Sequence, residues 1–201
     1  MSKPEPNSES STGLTPDQRN TLLALARQSI AHGLDQSRAL TVNPDDYEPA
    51  LRARRAAFVT LHEQGQLRGC IGHLEAVQTL VQDVAENAFA AAFRDPRFPP
   101  LATTELDALA IEISVLTPAV PMEFSSEQDL IGQIRQGIDG LILEDGNARG
   151  TFLPSVWESL QEPAEFLRHL KRKAGLPANH WSENLRVSRY RTESFGESGG
   201  R

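Results

Sequence analysis

An α+β fold, with a mostly antiparallel or mixed sheet and flanking helices, is the class this sequence predicts, and three observations carry the prediction. Leu109 to Leu116 alternates apolar and polar residues, with Ile111, Ile113 and Val115 set against Glu112 and Ser114, as a half-buried strand does. Two connections, Glu63-Gln64-Gly65-Gln66 and Glu144-Asp145-Gly146-Asn147, have the composition of hairpin turns, which join antiparallel neighbours. Between the strands lie segments of helical periodicity, the longest starting at Thr15-Pro16-Asp17-Gln18.

That first helix has Thr15 as N-cap, Pro16 at the first helical position and Gln18 able to close a capping box, and it runs to about Gly33 with Leu22, Leu23, Ala26 and Ile30 inward. A loop from Thr41 to Pro49 leads to the basic segment Arg52 to Arg55, read as a solvated approach to a strand. Ala56 to His62 and Leu67 to Gly72 then form a hairpin, with Cys70 on its second strand. A second helix, rich in alanine, ends at Phe93; its small residues let its backbone sit close to the sheet. Three prolines fix the Arg94 to Pro100 loop in an extended path, where Asp95 either joins the arginines in an anion pocket or pairs with one of them.

After the Leu109 strand come a helix from Ser125 or Ser126 to Gln136, a hairpin of Gly140 to Leu143 with Arg149 to Leu153, and helices over Val156 to Leu160 and Pro163 to Ala174. Arg168, Lys171, Arg172 and Lys173 form the polar side of the last helix, where its dipole favours cations. Leu185 to Arg191 is a final strand, and the chain is expected to fray beyond about Glu193.

A net charge of -7 argues against a broad phosphate-tracking surface and so against nucleic acid, leaving room only for a small local basic patch. One cysteine makes no internal disulfide, which suits a reducing cytoplasm. No run approaches the roughly 20 apolar residues of a membrane span, and the Ser-, Pro- and Glu-rich start lacks the apolar stretch of a signal peptide. The five histidines are scattered and none is paired at i, i+4, so neither a metal nor a cofactor is expected.

The candidate chemistry centres on Leu67-Arg68-Gly69-Cys70-Ile71-Gly72. Strand alternation puts Arg68 and Cys70 on one side, where a guanidinium favours the thiolate, the reactive form. With the hairpin turning at Gln64-Gly65, His62 lies opposite Leu67 and, like His73, faces away from Cys70.

Together with Asp95-Pro96-Arg97-Phe98-Pro99-Pro100-Leu101, Glu112 to Leu116, Gly140 to Leu143, Arg149 to Pro154 and Lys173 to Leu176, that segment closely resembles the AMMECR-one domain family, the protein A component of the AmmeMemoRadiSam system. The resemblance covers about Leu14 to Phe195 and implies one domain over 14–195, between tails at 1–13 and 196–201, with a larger and a smaller subdomain and a cleft between them. It also implies the LRGCIG segment as hallmark, and association with a Memo-like protein and a radical-SAM protein.

Two functional readings follow. In the first the protein is an enzyme, with Cys70 as nucleophile, Arg68 as its electrostatic partner and Glu112 as general acid or base. Gly69, Gly72, Arg97, Ser114, Arg149, Thr151 and Lys173 then complete a pocket, with Arg97 or Arg149 holding an anion. In the second it is a non-catalytic adaptor, in which Cys70 and the glycines are packing residues.

Overall fold

The computed structural model describes residues 13–197. Helix α1 (Pro16–Gln36) begins at the expected capping box: the Gln18 amide donates to Thr15 Oγ1 at 3.3 Å and the Thr15 amide to Gln18 Oε1 at 3.0 Å. It continues past Gly33 to a C-cap at Ser37, whose backbone is left-handed at φ 55°. After the single turn α2 (Pro49–Arg52), strands β1 (Ala57–Glu63) and β2 (Gln66–Gly72) form the hairpin, turning on Gln64 and Gly65, both with positive φ. His62 pairs with Leu67 as expected, but the register slips between Leu61 and His62, so that Leu61 meets Gly69 and Thr60 meets Cys70.

Helix α3 (Leu80–Phe93), a 3-10 segment (Thr103–Ala108) and β3 (Leu109–Leu116) follow. β3 pairs with β1 on one side and, on the other, with β8 (Thr192–Gly196), a strand formed much later in the chain, giving an antiparallel sheet in the order β2-β1-β3-β8. Val59, Leu61, Ile111, Ile113 and Val115 on one face are buried with α1 and α3 in the main core.

Two glycines permit this packing. A Cβ on Gly33 would lie 2.6 Å from the rings of Phe89 and Phe93, and one on Gly69 would lie 2.1 Å from the Ala91 carbonyl oxygen. Buried polar groups fix the same helix to the start of β1: Asp83 accepts the Ala57 amide at 2.8 Å, and Asn87 donates to the Ala57 carbonyl at 3.1 Å.

The second antiparallel sheet, in the order β4-β7-β5-β6, contains β4 (Val120–Pro121), β5 (Gly140–Asp145), β6 (Ala148–Phe152) and β7 (Arg186–Tyr190). It forms a separate core with α4 (Glu127–Gln133), a 3-10 turn (Pro154–Glu158) and α5 (Pro163–Lys173). The segment expected as a helix from Val156 is that 3-10 turn, set by Pro154 at its start. Lys171, expected on the solvated side of α5, is fully buried and bonds Glu127 Oε1 at 2.6 Å, because α4 packs across that side. Ala56, Leu116 and Tyr190, with Phe58, Ile142 and Leu153 around them, form a small apolar cluster joining the two sheets.

The fraying expected from Glu193 is not seen, since β8 (Thr192–Gly196) pairs with β3. Two carboxylates hold it down. Glu193 accepts the Leu14 amide and Arg19, and Glu197 accepts Arg27 and the Ile111 amide. The tails expected at 1–13 and 196–201 otherwise fall outside the described residues, Gly13, Gly196 and Glu197 excepted.

The contact at Gly69 sets a measurable cost. Gly69→Ala drives a methyl group into a helix carbonyl and is expected to destabilise by the upper part of about 1–3 kcal/mol. Gly132→Ala, on α4 with nothing within 4 Å of its added Cβ, should instead stabilise by about 0.5–1 kcal/mol. Urea unfolding of both variants checks the pair, and equal midpoints would contradict the packing described.

Candidate functional site

Thr60 and Cys70 are a non-hydrogen-bonded pair of the β1–β2 ladder, since the His73 amide donates to the Ala57 carbonyl three residues along and the two kinds of pair alternate. In such pairs the side chains approach closely, and the Thr60 hydroxyl lies 3.3 Å from Cys70 Sγ, in position to donate to the sulfur. The same geometry turns the Cys70 N–H and C=O away from β1, at the open edge of the sheet. The loop after α3 meets them there. Asp95 accepts the Cys70 amide at 2.9 Å, and Arg97 donates to the Cys70 carbonyl at 3.4 Å.

Asp95 and Arg97 also bond each other at 2.6 Å, so an ion pair stands where a further strand would otherwise pair. Of the two roles open to Asp95 in the sequence, the structure has the internal pair. The Arg97 guanidinium holds the Asp95 carboxyl well below the usual carboxylate range, burial opposing it and the amides of Cys70 and Arg97 adding to it.

Arg68 goes elsewhere. It sits at the register slip, and its guanidinium bonds Glu105 at 2.7 Å and the Pro99 carbonyl at 3.0 Å. The cation in contact with the cysteine's backbone is therefore Arg97. Arg68 instead fastens the 3-10 segment and the proline loop to the edge strand.

Cys70, Thr60, Glu112 and Ser114 share the sheet face opposite the main core, in cross-strand register from Cys70 through Thr60 to Glu112. They line a cavity of about 400 Å³ with Phe58, Ser194 and, from the other sheet's side, Leu153, Pro154 and Trp157. Ser114 and Ser194 share a hydrogen bond at 2.8 Å. Trp157 is fixed, stacked at 3.9 Å on Phe166 and donating from Nε1 to the Asp139 carbonyl at 2.8 Å. Gly72 leaves room for Phe58, since a Cβ there would lie 2.3 Å from that ring.

Arg149, Thr151 and Lys173 line a different cavity, of about 500 Å³, with His73, Glu75 and Ile142. The Thr151 hydroxyl donates to the Leu141 carbonyl at 2.9 Å and lies 3.3 Å from Tyr190, whose buried phenol is pushed up to about 12. Arg149 is paired with Glu75 and Glu144, and Lys173 lies over the Phe152 ring at 5.0 Å. His73 Nδ1 meets the buried Asp83 at 2.6 Å, while burial raises the Asp83 carboxyl and the bonds from His73 and the Ala57 amide oppose that.

Sequence reasoning thus brought Cys70, Glu112 and Ser114 together and missed Thr60, Trp157 and the His73–Asp83 pair. A hairpin without the slip puts Thr60 opposite Gly69, on the other face, so only the bulge reveals it. Among the described residues no three His, Cys, Asp or Glu side chains gather as a metal ion requires.

The sequence model of the AMMECR1 family matches residues 23–195. A protein of Methanothermobacter thermautotrophicus is 43% identical over 192 residues, covering 92% of this chain and 97% of its own length. One from Thermofilum pendens is 37% identical over 197 residues, covering 92% of each. The crystal structure of an uncharacterized protein from Pyrococcus horikoshii superposes with a TM-score of 0.75 at 36% identity, over 89% of this chain and 91% of that one.

The clamp on Cys70 carries a pH dependence with a definite sign. Because the Asp95 carboxyl titrates lower in the folded than in the unfolded chain, its stabilisation is complete at neutral pH. It is lost as pH falls below about 4 toward the folded-state value. Asp95→Asn should cost about 1–3 kcal/mol at pH 7, measured by urea unfolding. The gap from wild type should narrow in acid; one that stays constant as far as the fold survives would mean that the charge contributes nothing.

Proposed function

The chain belongs to the AMMECR1 family, and we propose that it is an enzyme, or the catalytic component of an enzyme system, with Cys70 as its nucleophile. The observation that carries this reading is the Thr60 hydroxyl, 3.3 Å from Cys70 Sγ, on a sheet face that opens into a cavity instead of packing into a core. A hydroxyl donor at that distance stabilises the thiolate, which is the attacking species.

Thr60 lies between Cys70 and Glu112 in the cross-strand row, and two strand spacings put those two backbones roughly 10 Å apart. A reacting group seated between them is within reach of both side chains. In the proposed step the sulfur bonds to an electrophilic carbon of a small polar metabolite, and the π electron pair moves to the attached heteroatom. The net transfer of the thiol proton to that heteroatom runs through the Glu112 carboxylate as general acid and base.

Ser114 and Ser194 offer hydroxyls for the polar end of the substrate, and Phe58 and Trp157 receive its apolar part. Arg97 adds positive charge beside the Cys70 carbonyl, and Arg68 steadies the loop that carries Arg97. Gly69 and Gly72 shape the strand and touch no substrate in this reading. The proposed setting is the cytoplasm, with the Memo-like and radical-SAM proteins that the family resemblance implies.

A panel of small electrophiles read by intact mass tests the assignment. Acrylamide-type fragments, which need a proton at carbon, should label Cys70 once, and Glu112→Gln should slow them at least about tenfold. Chloroacetamide fragments, which lose chloride instead, should be slowed far less, and Cys70→Ser should take neither. Equal effects of Glu112→Gln on both classes would remove Glu112 from the proton transfer, and no preference among fragments would reduce Cys70 to an ordinary exposed thiol.

A further inference from the structure

Three cavities run into one another along the junction of the two sheets. The cavity that holds Arg149 and Lys173 shares Leu74, Glu75, Ile142 and Arg149 with a neighbour of about 310 Å³. That one in turn shares Arg55, Thr117, Pro118 and Tyr190 with a third of about 670 Å³. The result is a continuous groove, separate from the Cys70 cavity.

Its charge is opposite to that of the protein as a whole. The chain has 27 acidic and 20 basic residues. Yet the groove carries Arg149 and Lys173 at one end, Arg54 and Arg55 in the middle and Arg135, Arg189 and Arg191 at the other end, against the single carboxylate of Glu75. Arg149 and Arg135 have partners in Glu75 and Asp139. Among the described residues Arg54, Arg55, Arg189 and Arg191 make no ion pair with a carboxylate within 4 Å.

Arg55 is the most telling of these. It is half-buried, its nearest hydrogen bond is to the Leu116 carbonyl at 3.4 Å, and burial lowers it from the ordinary guanidinium value, with Glu193 only partly opposing. Holding a guanidinium partly out of water without a carboxylate partner is unfavourable unless an anion completes the site.

The groove is also apolar at intervals. Leu74, Val77 and Val120 are three of the few large hydrophobic side chains that the surface exposes, and all three line it. Of Phe, Tyr and Trp only Tyr190 lines it, buried at 2% exposure with its hydroxyl donated to the Phe152 carbonyl, and the one other ring, His73, lies at one end and is held by Asp83, so the charged stretch presents no row of ring faces on which bases can stack. Single-stranded nucleic acid requires such platforms. A polypeptide with acidic and aliphatic side chains requires only alternating cations and apolar contacts.

We propose that this groove docks an extended acidic segment of a partner protein, whose carboxylates meet Arg54, Arg55, Arg189 and Arg191 and whose aliphatic side chains cover Leu74, Val77 and Val120. The proposal stands independently of the role of Cys70, because the Cys70 cavity shares no lining residue with the groove.

Selection of random 12-residue peptides displayed on phage against the full chain tests it. The bound pool should be enriched in Asp and Glu interleaved with Leu, Ile or Val, and a labelled synthetic copy should bind in fluorescence anisotropy. Arg189→Gln with Arg191→Gln should weaken it at least about tenfold, and raising the salt to about 0.5 M should weaken it likewise. Arg189→Lys with Arg191→Lys, which keeps the charge and controls for folding, should stay within about threefold of wild type. Enrichment without acidic residues, or binding indifferent to the glutamine pair, would overturn the proposal. Tighter binding of an oligo-dT 12-mer would assign the groove to nucleic acid instead, and displacement by tripolyphosphate at the peptide's own concentration would assign it to a small anion.

Discussion

The closeness of β2 to α3 is the constraint on which the rest of the molecule depends. At Gly69 the strand backbone lies so near the Ala91 carbonyl that no side chain fits between them. The helix meets this approach with a buried surface of small residues, Ala85, Ala88, Ala91 and Ala92. Because successive residues of a strand point to opposite faces, pinning Gly69 against the helix turns Cys70 away from it. The glycine that serves packing and the cysteine that serves as candidate nucleophile are thus two consequences of one contact. Packing at Gly69 therefore leaves the alternate position, Cys70, facing away from the helix.

An edge strand with an outward-facing residue has a further problem, the unpaired N–H and C=O at that residue. Asp95 and Arg97 solve it by presenting an acceptor and a donor from one short loop. The prolines around them restrict that loop, and Arg68 ties it to the strand through the Pro99 carbonyl. The polar residues of this motif therefore hold the cysteine's backbone, and the hydroxyl of Thr60 is what reaches its sulfur.

Much of the fold was legible because local rules sufficed for it. The capping box at Thr15, the alternation of Leu109 to Leu116 and the hairpin at Gln64-Gly65 each follow from a few neighbouring residues. What was hidden depended on tertiary contacts. The bulge at Leu61 and His62 leaves no mark in composition, so Arg68 was expected beside Cys70 and Thr60 was overlooked. Lys171 looks solvated by helical phase until α4 covers it, and β8 looks like a tail until Glu193 and Glu197 reach the arginines of α1. Motifs expected to converge on one pocket divide between two, because Arg149 and Thr151 on the second sheet's edge strand and Lys173 at the end of α5 line a cavity other than that of the Cys70 face. The arginines before β1, which alone resemble a solvated approach, gain their significance from Arg189 and Arg191, distant in sequence and adjacent in space.

The most direct test is of the open face itself, and the lone cysteine makes it unambiguous. The rate of iodoacetamide alkylation of the folded chain at pH 7 is compared with that of the same chain unfolded in urea and with that of folded Thr60→Val. The account predicts that the folded chain reacts at least as fast as the unfolded one, without any unfolding step, and that removal of the hydroxyl slows it. Alkylation that proceeds only as fast as the protein unfolds, with Thr60→Val making no difference, would contradict it and leave Cys70 as a packing residue.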